Sequence, residues 1–183
     1  MEDGHKRIVV GAANAWLEAS VRQAQRVLDG TLDDGQNVEF MLFATALNNA
    51  ARGAKAVLGR DHPQAAAFDA AVPDGKHIRD MLEHFDNYLT GTGKLQPKPT
   101  PEGVRTPWTM IETGSESFLS GGSDYSVVVV TRTGIQAAQT SFELDVRTSL
   151  MACADLIEVA IAEAGIQQNS EAVQKARDLS AIK

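Results

Sequence analysis

Apolar residues recur at steps of three and four through most of this chain, and that spacing predicts helices. Val10, Ala13, Leu17, Val21, Ala24 and Leu28 fall on one face of a helix from about Ile8 to Leu28. Gly30 and the run Thr31-Leu32-Asp33-Asp34-Gly35 break that pattern. Phe40, Phe43, Leu47, Ala50, Ala54 and Val57 form the stripe of a second helix, from about Asn37 to Leu58, whose alanines permit close approach by a neighbour. Pro63 suits the first turn of a short helix over Pro63–Ala71. The next helix spans about Asp74 to Leu89, with Ile78, Met81, Leu82, Phe85 and Leu89 turned inward and Gly91 and Gly93 after its end.

Beyond this point the period changes. Residues 94–107 hold Pro97, Pro99, Pro101 and Pro107 and read as a proline-rich loop. Residues 108–142 read as a β insertion. Its strands are Trp108–Thr113, Tyr125–Arg132 with Val127-Val128-Val129-Val130 at its centre, and Ile135–Phe142. A hairpin alone has too little core, so the sheet is expected to lie against the helices. The last long helix starts near Glu143 and stops before Gly165, with Val146, Leu150, Cys153, Ile157, Ile161 and Ala164 on its stripe. Leu156 and Val159 fall off that stripe, which marks either a central helix or a subunit contact. A polar helix from about Ser170 to Ile182 ends the chain, with Ser170 as its N-cap. The expected fold is mainly α: one domain over residues 1–183, a four- or five-helix bundle with a small antiparallel β insertion between the third and fourth main helices.

Composition narrows the functional classes. At 183 residues and 43% hydrophobic, the chain is too apolar for disorder and has the size of one domain. No run approaches the roughly 18 apolar residues of a membrane span. The start, Met1-Glu2-Asp3-Gly4-His5-Lys6-Arg7, has no apolar leader, so a cytoplasmic protein without a membrane partner is expected. Cys153 is the single cysteine, which excludes intrachain disulfides and cysteine-rich zinc sites; on its apolar stripe it reads as a buried structural thiol. The net charge of −7 argues against a broadly DNA-coating surface. The acidic surplus lies mainly in residues 106–183, while residues 1–60 are neutral, so contact with RNA would need a local cluster. Gly121-Gly122 is not followed by the Gly-Lys-Ser/Thr of a phosphate loop, and no serine has a Gly-x-Ser-x-Gly frame. Trp16, Trp108 and Tyr125 read as core or sheet residues.

Chemistry concentrates in Lys76–Tyr88. At about 100° per residue, Arg79, Asp80, Glu83, His84 and Asn87 spread over the polar side of the helix. Arg79 and His84 stand about 140° apart, with Arg79 long enough to reach back. Histidine is the side chain suited to moving protons near neutral pH. Arginine can grip a phosphate bidentately and stabilise its growing charge. Asp80, one turn before His84, can orient the imidazole. The plain alternative is a solvated helix face. A further alternative is a transition-metal site of His77, Asp80 and His84 on one helix edge, with His5 or His62 as a fourth ligand.

The run Arg79-Asp80-Met81-Leu82-Glu83-His84 resembles the Arg-[Asn/Asp/His]-x-x-x-His signature of HEPN domains (higher eukaryotes and prokaryotes nucleotide-binding). The resemblance covers these six residues closely and, by helix pattern, residues 8–90 and 143–165. It implies a helical bundle and, as in many family members, a metal-independent RNase of toxin–antitoxin, abortive-infection or RNA-processing systems. It implies Arg79, Asp80 and His84 as catalytic residues and no cofactor, with the motifs of a homodimer facing each other across a cleft. RNA is the implied substrate, and an antitoxin or nucleotidyltransferase is the partner suggested by the same analogy. Asn87 and His77 are the candidate binding residues beside the motif. The rival expectation is a non-enzymatic dimeric binding or scaffold protein that uses its acidic C-terminal third or its β insertion.

Overall fold

The computed structural model describes residues 1–29, 36–96, 98, 101, 103, 110–115, 126–132, 139–167 and 169–181. Among them the protein is mainly helical. The helices are α1 (Asp3–Asp29), α2 (Gln36–Leu58), α3 (Pro63–Ala71), α4 (Gly75–Glu83), α5 (Phe85–Leu89), α6 (Val146–Glu163) and α7 (Glu171–Ala181). Three strands, β1 (Met110–Ser115), β2 (Ser126–Arg132) and β3 (Gln139–Asp145), lie between α5 and α6.

α1 and α2 form an antiparallel pair, because Val9 and Ala13 early in α1 meet Gly53 late in α2, while Arg26 late in α1 reaches Glu39 early in α2 at 3.4 Å. The pair is close. A Cβ placed on Gly53 would stand 2.8 Å from the Cβ of Ala13 and 3.6 Å from the Val9 carbonyl oxygen. The glycine is therefore required for backbone approach, which is how small residues bring two helices together. The predicted stripes are buried: Val10, Ala13, Leu17, Val21 and Ala24 on α1, and Phe40, Phe43, Leu47, Ala50, Ala54 and Val57 on α2. Leu28 is only partly buried, and Val27 takes the core position at that end. Each large side chain fully removed from water contributes about 1.5–3 kcal/mol.

α6 is the central element. It packs against α1, α2, α3 and α7, and meets β3 at its start. Leu156 is as fully buried as Leu150, Cys153 and Ile157, so its part of the surplus apolar surface is used inside the protomer, while Val159 stays partly exposed. The helix starts later than the periodicity predicts. β3 continues to Asp145, whose side chain accepts a hydrogen bond from the Thr148 backbone N–H at 2.6 Å and caps α6. At α7, the Ser170 hydroxyl accepts from the Val173 N–H at 3.1 Å, as expected of an N-cap, and also bonds Asn14 of α1. Arg177 ties α7 to α6 through Asp155 and Glu158, each at 2.8 Å.

The strands form one antiparallel sheet in the order β1-β2-β3, with Met110 opposite Arg132 and Val127 opposite Leu144. β1 ends two residues later than expected, and β3 ends three residues later; β3 is the strand that packs on α4 and α6. Trp108, Tyr125 and most of the proline-rich loop lie outside the described residues. Trp16 does not join the core. It sits one residue off the α1 stripe and is 44% exposed. No helix among the described residues is long and apolar enough to cross a membrane.

The predicted Asp74–Leu89 helix is two helices. His84 leaves helical geometry, at φ −126° and ψ 37°, and separates α4 from α5. An unbroken helix would rise about 12 Å between Asp80 and Tyr88. The break lets Tyr88 fold back to Asp80.

Replacing Gly53 with valine is expected to lower stability by about 1–3 kcal/mol, because α1 and α2 must separate to admit the side chain. Urea denaturation of Gly53→Val measures this, and an unchanged midpoint would show that the helix pair is not held closed here.

Candidate functional site

α4 is fixed at its first turn from two sides. Asn48 of α2 donates to the Gly75 carbonyl oxygen at 3.0 Å and to that of Ala44 at 2.9 Å. Asp74 turns its carboxylate to the backbone N–H of Glu143 on β3, at 3.1 Å, instead of capping its own helix. Ile78 and Met81 are fully buried. With that face inward, Glu83 and His84 are exposed and Arg79 is partly exposed.

Arg79 is held by carboxylates of its own helix. Nη1 lies 3.3 Å from Glu83 Oε2, and Nη2 lies 4.0 Å from Asp80 Oδ1. Its Nε is out of contact with water and has no hydrogen-bond partner among the described residues. Glu83 also accepts from the Thr45 hydroxyl of α2 at 3.4 Å.

Asp80 is buried, at 7% exposure, and is fully engaged. The Tyr88 hydroxyl donates to Oδ2 at 2.9 Å, and the Lys94 ammonium donates to Oδ1 at 3.3 Å. Burial by itself would raise this carboxyl; the Tyr88 and Lys94 hydrogen bonds, with the charges of Lys94 and His84, outweigh it and hold the group below its ordinary value. Tyr88 responds in the opposite sense. Burial, and then the bond to the Asp80 anion, push its phenol up to about 12, against the pull of the Leu95 and Lys94 backbone N–H groups.

Tyr88 is clamped in turn. Gln96 donates from Nε2 to the Tyr88 carbonyl oxygen at 2.6 Å and accepts from the Gly93 N–H at 2.8 Å. Gly93 lies directly against the phenol ring, where a Cβ would come within 2.2 Å of Cδ1. The buried polar or charged residues among those described are Ser20, Asp80, Gln96 and Ser149, so two of the four belong to this one network.

Arg79 and Asp80 thus lie at the middle of α4, the first partly exposed and the second buried, and His84 follows the helix's last residue. His84 is exposed, at the helix break, and its charge is near enough to act on Asp80. The carboxylate's hydrogen bonds among the described residues come from Tyr88 and Lys94, so Asp80 reaches His84 through space. Asn87 is exposed on α5, where its carbonyl oxygen accepts from the hydroxyls of Thr90 at 3.2 Å and Thr92 at 3.1 Å. His77 is taken up by Phe142 of β3, with ring centroids 6.0 Å apart and planes tilted by 56°. The candidate metal set is not assembled: no group of three or more His, Cys, Asp or Glu among the described residues is placed to hold an ion. His62 instead caps α3, accepting from the Gln64 N–H at 3.1 Å, and His5 lies 3.9 Å from Glu2. Cys153 is fully buried, and burial raises its thiol to about 12, which keeps it protonated and inert at neutral pH.

Tyr88, Lys94 and Gln96 are the residues that sequence pattern did not single out. On a continuous helix Tyr88 is too far from Asp80, and the loop residues have no periodicity to place them. The available signal was a tyrosine followed closely by two glycines, the composition of a ring packed under a tight turn.

No protein family, curated protein or solved structure matches this chain.

Because its carboxyl is lowered by folding, Asp80 stabilises the protein above the unfolded aspartate value of 3.8, and that contribution is lost as pH falls through this value and on through the lower folded one. Asp80→Asn is expected to be less stable at pH 7 by about 1–3 kcal/mol. It should also lose less stability than the wild type on acidification. Parallel acid limbs in urea titrations of the two proteins would refute the assignment.

Proposed function

We propose that this chain is a HEPN-like, metal-independent endoribonuclease of the cytoplasm, a toxin or defence component that works as a homodimer. The observation that carries the reading is an anionic carboxylate, Asp80, with a guanidinium 4.0 Å from it and an exposed imidazole close enough to act on it. Of the carboxylates beside Arg79, Glu83 is the more exposed and Asp80 is buried. A phosphodiester can take the place of Glu83 and add the bidentate geometry that arginine favours.

The chemistry follows from the residue types. A base removes the proton of the ribose 2′-OH, and the 2′-oxygen attacks phosphorus. The bond from phosphorus to the 5′-oxygen breaks, and an acid delivers a proton to that leaving oxygen. His84 suits either role. Arg79 stabilises the charge that grows on the phosphoryl oxygens. Asp80 takes the orienting role that the resemblance implies for it. One imidazole cannot be base and acid in the same step, so a second copy of the chain is the natural source of the other. An antitoxin or nucleotidyltransferase is the protein partner that the resemblance suggests.

The rival reading, a non-enzymatic dimeric binding or scaffold protein, is favoured by one observation. Arg79 is already paired with acids, Glu83 and Asp80, rather than with His84. In that case the acidic C-terminal third or the β insertion would carry the partner surface.

Purified protein is expected to cleave single-stranded RNA in EDTA, and His84→Ala to lower the rate by about 10²–10⁴-fold with an unchanged circular dichroism spectrum. Equal rates in the two proteins would sink the nuclease reading, and an absence of cleavage in the wild type would favour the scaffold.

A further inference from the structure

The geometry points to Tyr88 as a positioning residue: its hydroxyl fixes the Asp80 carboxylate away from Arg79, and the Gly93–Gln96 loop fixes Tyr88. This rests on the reading of Arg79 and His84 as the reactive pair. It adds that the loop after α5 sets how much of Arg79 remains for a phosphate.

Two distances carry the inference. Asp80 Oδ2 is bonded by Tyr88 at 2.9 Å, whereas Arg79 Nη2 stands 4.0 Å from Oδ1. The carboxylate is therefore oriented by the phenol and the Lys94 ammonium, and its adjacent arginine is left beyond hydrogen-bond reach. A buried carboxylate that loses a donor must find another. Beyond Lys94, which already bonds Oδ1 at 3.3 Å, the donor at hand is Arg79, whose Nη2 stands 4.0 Å from Oδ1 and whose Nε has no hydrogen-bond partner among the described residues. Without the phenol hydroxyl, Asp80 turns to Arg79 and closes an ion pair where a phosphate would bind. The charged and titratable groups facing Asp80 among the described residues are Arg79 from α4, His84 from the break, Tyr88 from α5 and Lys94 from the loop.

Tyr88 itself is held too firmly to serve as a general surface tyrosine. It is fully buried, its carbonyl oxygen is gripped by Gln96, and its ring covers the one residue of the turn that has no side chain. Gln96, also buried, uses its amide oxygen and its amide nitrogen to join the two sides of the turn. Such a fully satisfied buried network specifies one arrangement of its members.

The test uses the full-length chain and Tyr88→Phe, which removes one oxygen and keeps the ring. The Asp80 carboxyl is followed by ¹³C NMR across acid pH, exchange of the Arg79 Nε proton is followed by ¹⁵N NMR, and steady-state kinetics are measured on a single-stranded RNA oligonucleotide. The expected result is an Asp80 titration midpoint lowered further, because a guanidinium replaces a neutral phenol as its donor, with slower exchange at Arg79 and a KM raised about threefold or more with a smaller change in kcat. A folded Tyr88→Phe protein with an unchanged Asp80 titration and unchanged Arg79 exchange overturns the inference. A wild type that never cleaves RNA overturns the nuclease reading, and the two NMR measurements still decide the role of Tyr88. Should Tyr88→Phe fail to fold, Gln96→Ala leaves the phenol in place and loosens its clamp. It is expected to shift both NMR readouts in the same direction, and no shift in a folded Gln96→Ala protein refutes the role of the loop.

Discussion

The carboxylate of Asp80 has left water, and a carboxylate cannot remain ionised there without donors close at hand. Its own helix supplies Arg79, which stands too far away to bond it. The donors come from beyond the helix, from Tyr88 and Lys94. Meeting that requirement shapes the whole segment. The helix breaks at His84 and the phenol returns, the ring presses on a glycine because nothing larger fits, and Gln96 closes the turn that results. The break also leaves His84 at a helix end, exposed, beside a fixed negative charge.

The bundle makes this local arrangement dependable. α1 and α2 approach through Gly53 and Ala13, and α6 fills the space they leave with Leu150, Leu156 and Ile157. α4 is then bolted to α2 by Asn48 and to β3 by Asp74. Two rigid neighbours therefore decide where the polar side of α4 points. The small sheet contributes to the site through that one strand: β3 provides the backbone N–H for Asp74 and the ring that packs on His77.

The helices were legible in the sequence because burial on one face imposes a period, and every position of the predicted α2 stripe is in the core. Long helices with a strong stripe are the easiest case, and α6 extended the principle, since Leu156 showed that part of its second face was also covered. Trp16 misled because size suggested burial, while its angle on α1, off the stripe, decided exposure. The break at His84 was not legible. It accompanies a hydrogen bond between residues eight apart, Tyr88 to Asp80, and a periodic reading treats such residues as independent. Arg79, Asp80 and His84 were singled out by a six-residue motif, which is blind to the donors of Asp80 that come from α5 and the loop that follows. His77 shows the opposite failure: a shared helix edge with Asp80 suggested shared chemistry, and packing against a strand took it elsewhere.

The charge of the chain bears on how such a site would work. A protein of net charge −7 does not draw RNA by its overall field, and Asp80 and Glu83 offset Arg79 and Lys94 at the site itself. Attraction then has to come from directed contacts, a guanidinium on one phosphate and an imidazole on one ribose, made at short range. A low overall field also limits non-specific binding, which for nucleic-acid proteins is almost wholly electrostatic. An acidic nuclease would therefore be selective for RNA that can present a flexible phosphodiester to two motifs at once. Loops and single strands have that freedom, because their backbone is not held in a helix. The same reasoning makes the orientation of Asp80 consequential: with so few cations at the site, one carboxylate turned onto Arg79 would remove most of what can hold a phosphate.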